Sequence, residues 1–214
     1  KGNISVNTGS AMVTETINAP NSLLDVYHST FNGNGLSVDT VSANGSTLTL
    51  SDSSITGEVT SNQNAKVEIY NTPLTSVNVW LSSFIYGGGT LTNISVHGGS
   101  RVHLGEASIV ENIDSNMGSI VDIYKANITG NVYINSNSTM FANETTFGSN
   151  AFLQINDGGV SSLFGGTTIN EEQTGCYFGS LNIENVDVNA FDNGCLDSGG
   201  YQEMVDAFKN NRNN

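Results

Sequence analysis

Positive charge is what this 214-residue sequence has least of: Lys and Arg number 6 against 20 Asp and Glu, a formal net charge of −14. Phosphate backbones and anionic bilayers would be repelled, so nucleic acid is not an expected partner. Long hydrophobic runs are missing too. No apolar stretch approaches the roughly 20 residues of a membrane-spanning helix, and no membrane insertion is expected. Lys1 opens nothing resembling a secretory signal, so the chain is expected to be a mature or excised fragment. Histidine is limited to His28, His97 and His103, far upstream of the two cysteines, and no metal site is expected. Phosphate-cradling glycine loops, nucleophile elbows and HExxH or EF-hand spacings are absent, and no cofactor is expected. Charged residues make up only 12 %, so solubility must rest on Gly, Asn, Ser and Thr, which suit tight turns and strand surfaces.

What is present is a repeat. Its clearest copies place apolar or small residues at offsets 0, 2, 5 and 7: Leu48, Leu50, Ser53, Ile55; Val67, Ile69, Thr72, Leu74; Val102, Leu104, Ala107, Ile109; and Val121, Ile123, Ala126, Ile128. Further copies begin at Met140, Ser162 and Leu181, and weaker ones at Ile4, Leu24 and Phe84, making ten with a period close to 19. Alternation, a kink and a second apolar pair such as Val77 and Val79, or Val132 and Ile134, read as strand, turn, strand. Each repeat is then one coil of an all-β, right-handed parallel β-helix of about ten coils, a rod ~45–50 Å long at the usual ~4.8 Å strand spacing. Serines two places before the first strand position, Ser22, Ser46, Ser82, Ser100, Ser119 and Ser138, are expected to form a buried ladder at one corner. The β-helix is expected over residues 1–198. Over 199–214, Tyr201, Met204, Val205 and Phe208 have the spacing of a short capping helix that would cover the edge of the last coil.

Cys176 lies 14 residues after Ser162, and Cys195 lies 14 after Leu181. A shared phase stacks them on successive coils, where Cα atoms ~4.8 Å apart fall within the roughly 4.4–6.8 Å that a disulfide accepts. A Cys176–Cys195 bridge is therefore expected, and with it an oxidising compartment.

Coils of the kind seen in Ser46-Thr47-Leu48-Thr49-Leu50-Ser51-Asp52-Ser53-Ser54-Ile55, with Asn/Gly/Ser turns, few Lys or Arg and a pI near 4.2, resemble the passenger domains of bacterial autotransporter adhesins. The resemblance covers nearly the whole chain. It implies secretion or display on a bacterial cell surface, and adhesion to a host or neighbour-cell protein or glycan, self-association or biofilm formation. The full family pattern adds a C-terminal membrane barrel, which this chain lacks, so an excised passenger or a separately secreted relative is implied. Pectate lyases and phage tailspikes share the architecture, which makes polysaccharide binding or cleavage the alternative and an ice-binding solenoid a third.

Groups for catalysis are sparse, and no catalytic residue is expected. The Arg or Lys base of a lyase would have to come from Lys1, Lys66, Arg101, Lys125, Lys209 or Arg212, three of which lie at the chain ends. Glu106 and Glu144 share one phase two coils apart, ~9.6 Å, but Lys125 stands between them and suggests a surface charge ladder rather than a glycosidase pair. Glu171 and Glu172 read as a solvated turn insertion. The residues expected to meet a ligand or partner are His103, Asp122, Phe141 and Leu163, one outward phase over four coils, and the aromatics Trp80 and Tyr133 on second strands. A hydroxyl column, Ser10, Thr30, Ser54, Thr90, Ser108, Thr146 and Thr168, is interrupted by Pro73 and Asp187, and strand and turn propensity accounts for it.

Overall fold

A five-residue strand with two inward apolar side chains buries too little to stand alone. Stacked in parallel, such strands give each backbone N–H and C=O a partner while their inward residues merge into one core. The structure, a computed structural model, describes residues 3–14, 17–87, 89–105, 109–169 and 173–183. Every named element among them is a β-strand. One parallel sheet has ten strands, from Ala11–Thr14 to Ser180–Ile183; the other has thirteen, its main path running from Asn3–Val6 to Thr174–Tyr177. The chain alternates between them, winding a β-solenoid of about nine turns.

One coil shows how the sequence produces this path. Thr47–Ser51 belongs to the ten-stranded sheet, and Asp52, at φ 47°, turns the chain into Ser54–Ile55 and Glu58–Asn62 of the thirteen-stranded sheet. Gln63 and Asn64, also left-handed, turn it back into Lys66–Tyr70. Asp and Asn tolerate this conformation better than most side chains, which is why they recur at corners. The inward residues Leu48, Leu50, Ser53, Ile55, Val59 and Ser61 are buried, and Val121, Ile123, Ala126, Ile128, Val132 and Ile134 repeat the set.

The register departs from expectation in several coils. Ile4, Val6, Leu24 and Val26 lie in the thirteen-stranded sheet, in line with Val41 and Ala43; the residues aligned with Leu48 and Leu50 are Phe31 and Gly33, preceded by Met12 and Thr14. Both long sides of a coil read apolar-x-apolar, so the pattern alone does not say which side a pair occupies. Inward positions of Phe84–Gly87 are Ile85 and Gly87, not Phe84 and Tyr86. Gly87 ends the strand, and a Cβ there would meet the Ile69 carbonyl oxygen at 2.8 Å. Leu163 is only 1 % exposed and points inward with Ser161, whereas Ser162 points outward opposite Phe141. Ile109 faces out and Val110 faces in. Phe84–Gly87, Ile109–Ser115 and Val160–Phe164 carry apolar residues on both faces, so a one-residue slip leaves the pattern plausible while reversing every side chain.

The corner ladder consists of buried Ser29, Ser46, Ser83, Ser100, Ser119 and Ser138, with Ser29 and Ser83 in place of the expected Ser22 and Ser82. The amide of Ser119 donates to Ser138 Oγ at 3.2 Å, that of Ser29 to Ser46 Oγ at 3.2 Å, and that of Ser83 to Ser100 Oγ at 3.3 Å. A second ladder bonds Ser53 to Thr72 and Thr145 to Thr167 in the same way. Cys176 packs half-buried against the core, in register with Ile155. Its expected partner Cys195 and the capping helix expected within 199–214 lie outside the described residues, as do Glu106, Glu171 and Glu172.

Candidate functional site

Parallel register stacks equivalent residues of successive coils, so an outward phase becomes a column. On the ten-stranded sheet one column reads Thr49, Glu68, Tyr86, His103, Asp122, Phe141 and Ser162. The rings of Tyr86 and His103 stack with centroids 5.1 Å apart and planes at 7°, and Tyr70 tilts against Tyr86 at 6.0 Å. His103 Nδ1 lies 3.0 Å from Asp122 Oδ2, and Arg101 Nη2 donates to the same oxygen at 2.9 Å. Phe141 follows on the next coil, 36 % exposed.

The same face collects the cations. Lys66 pairs with Glu68 at 2.6 Å, and Glu68's hydrogen bond and charge hold the Lys66 ammonium above its ordinary range. At the corner after Ile120–Tyr124, Lys125 lies 3.8 Å from Glu144 and 4.8 Å from the Tyr124 ring centroid. Lys66, Arg101 and Lys125 are the only Lys and Arg among the described residues, and all three lie on this sheet or at its edge. Exposed ion pairs of this kind add little to stability.

The thirteen-stranded sheet presents a different chemistry. Trp80 is exposed at its edge and stacks on His97, centroids 4.1 Å apart and planes at 20°. Amides take over along the following coils: Asn156 Nδ2 donates to Asn135 Oδ1 at 2.8 Å, while Asn116 Nδ2 and Asn135 Nδ2 reach Asp114 Oδ1 at 2.6 and 3.4 Å. Tyr133, in register with Asp114 one coil on, is 37 % exposed. Short side chains beside this ring leave an open depression of about 400 Å³, lined by Asn93, Ser95, Asn112, Asp114, Tyr133 and Asn135.

Of the residues expected to make contacts, His103, Asp122 and Phe141 are brought together. Leu163 is a core residue and is removed from the site. Trp80 and Tyr133 face outward on the other sheet, apart from that trio. Tyr86 and Arg101 join the site unannounced, Tyr86 because the slip in Phe84–Gly87 assigned it to the core. The depression was signalled by Asn93 and Asn112, 19 residues apart, a polar phase that a search for apolar repeats passes over. Glu144 engages Lys125, as a surface ladder requires. Ile109 rather than Ser108 stands between Thr90 and Asn127, which breaks the hydroxyl column again. Among the described residues no group of three or more His, Cys, Asp or Glu is placed to hold a metal.

Comparison with protein-family models, curated proteins and solved structures found no match. The chain is a parallel β-solenoid. Its likeness to autotransporter passengers rests on repeat and composition.

Proposed function

We propose that the chain is an adhesion module, secreted or displayed on a bacterial surface, that holds a host or neighbour-cell ligand, or another copy of itself, against the outward face of the ten-stranded sheet. The observation that carries this reading is the column Tyr86, His103, Asp122 and Phe141 with Arg101 beside it, where aromatic and cationic groups gather in a chain of net charge −14. Aromatic and Arg side chains are the usual anchors of interfaces. The carboxylates on this face support binding over catalysis, because Glu68, Asp122 and Glu144 each answer a cation. A Cys176–Cys195 bridge belongs to the same proposal, since an extracellular compartment would oxidise it.

Cell attachment and clumping measured with the purified chain test the reading. The double variant Arg101→Glu, Phe141→Asp is expected to lose roughly tenfold or more in attachment. Polysaccharide cleavage by the wild type that disappears in Glu144→Gln would overturn it in favour of an enzyme.

A further inference from the structure

We propose that the depression on the thirteen-stranded sheet binds a neutral oligosaccharide, at a site separate from the adhesive face. Its polar groups are held by one another. Asn112 Nδ2 donates to Asn93 Oδ1 at 3.2 Å, and Asn112 Oδ1 accepts from the Asn131 amide at 3.1 Å. Asp114 Oδ1 receives the two amides of Asn116 and Asn135. These bonds fix the side chains in place before any ligand arrives, which lowers the entropy lost on binding.

Part of each group is left over. Asp114 Oδ2, Asn93 Nδ2 and Ser95 Oγ make no hydrogen bond to other described residues. They offer a strong acceptor, a donor and a hydroxyl capable of both roles. Sugar hydroxyls need this mixture, since each donates one bond and accepts others. Tyr133 supplies the remaining element, an exposed ring on which the C–H face of a pyranose can lie while its hydroxyls reach the polar groups. The ~4.8 Å step between coils repeats Asn93 as Asn112, giving a chain of sugars laid along the rod a second polar contact. A volume of about 400 Å³ falls in the range of small-ligand sites.

Charge narrows the class. No Lys or Arg lines the depression, Asp114 forms no ion pair with a described residue, and the whole chain is strongly negative. Uronic acids, sialic acids and phosphorylated sugars would meet an unpaired carboxylate with no cation to answer it. On the ten-stranded face, by contrast, Glu68, Asp122 and Glu144 are each paired with a cation.

Calorimetric titration with defined pentaoses of glucose, galactose and mannose, with trigalacturonate and calcium chloride as comparison probes, tests the assignment. At least one neutral pentaose is expected to bind, and trigalacturonate and calcium are not. Tyr133→Ala and Asp114→Asn are each expected to weaken binding about tenfold, the scale of one lost stacking or charged hydrogen-bond contact. Both side chains point outward, so circular dichroism should match the wild type. Phe141→Asp should leave sugar binding unchanged while attachment to cells falls, which separates this proposal from the adhesive reading. Absence of binding to every neutral pentaose at millimolar concentration, preference for trigalacturonate or calcium, or wild-type affinity in both variants would each overturn it.

Discussion

At the scale of single residues, the fold turns on which of two neighbouring apolar side chains faces the core. Leu163 and Phe141 were both expected on the surface, yet only Phe141 is there. Leu163→Ala should cost about 2–5 kcal/mol in urea unfolding, as buried leucines do, while Phe141→Ala should cost less than about 1 kcal/mol. Val160–Phe164 reads Val-Ser-Ser-Leu-Phe, in which one alternation puts Ser161 and Leu163 inside and the other Val160, Ser162 and Phe164, so each buries a serine and at least one apolar residue. Only the neighbouring strand, with Met140 and Ala142 inward, breaks the tie by placing Ser161 and Leu163 beside them. The serine ladder gives a second test. Ser138→Ala removes the oxygen that satisfies the buried Ser119 amide and should destabilise by about 1–3 kcal/mol, whereas Ser82→Ala, at an exposed turn off the ladder, should be near neutral in the same measurement.

At the scale of the strand and its corner, legibility followed contrast between faces. Thr47–Ser51 and Lys66–Tyr70 alternate inward apolar with outward polar residues, and their template positions are all core. Phe84–Gly87 has apolar residues on both faces and an inward glycine, so its register slipped and took Tyr86 out of the expected site. The cysteine phase makes a prediction for the last coils. A thiol-specific maleimide should modify no cysteine in the unfolded, unreduced chain and two after reduction, read as added mass; two modified thiols without reductant would remove the bridge from the proposal. Reduction should also lower the unfolding midpoint, because a closed loop of this length restricts the unfolded chain by about 3 kcal/mol.

For the whole molecule, stability should be a sum over coils and their contacts, since each coil touches chiefly the ones above and below. Thr47 and Lys66 are in register, 19 residues apart. Deleting residues 47–65 removes one whole coil and joins Ser46 to Lys66 with every later side chain in phase. That variant should keep a β-rich circular dichroism spectrum and cooperative unfolding. Deleting Thr49 alone should do more damage, because Leu48 and Leu50 become adjacent and cannot both face the core. One missing residue harming the fold more than a missing coil is a result that a globular core packed in three dimensions would not give.

The sequence by itself determined the solenoid, its period of about 19 and the inward template of coils such as those at Leu48, Val67 and Val121, because these follow from apolar spacing where the two strand faces contrast. It also determined that His103, Asp122 and Phe141 share a column. Only the tertiary structure decided which face Leu163 joins, that Tyr86 and Arg101 lie beside that column, and that amides around Asp114 and Tyr133 line an open depression. The physical reason is that period-2 alternation is blind to a one-residue shift when both faces are apolar, and a hollow between coils exists only once neighbouring strands fix each other's register.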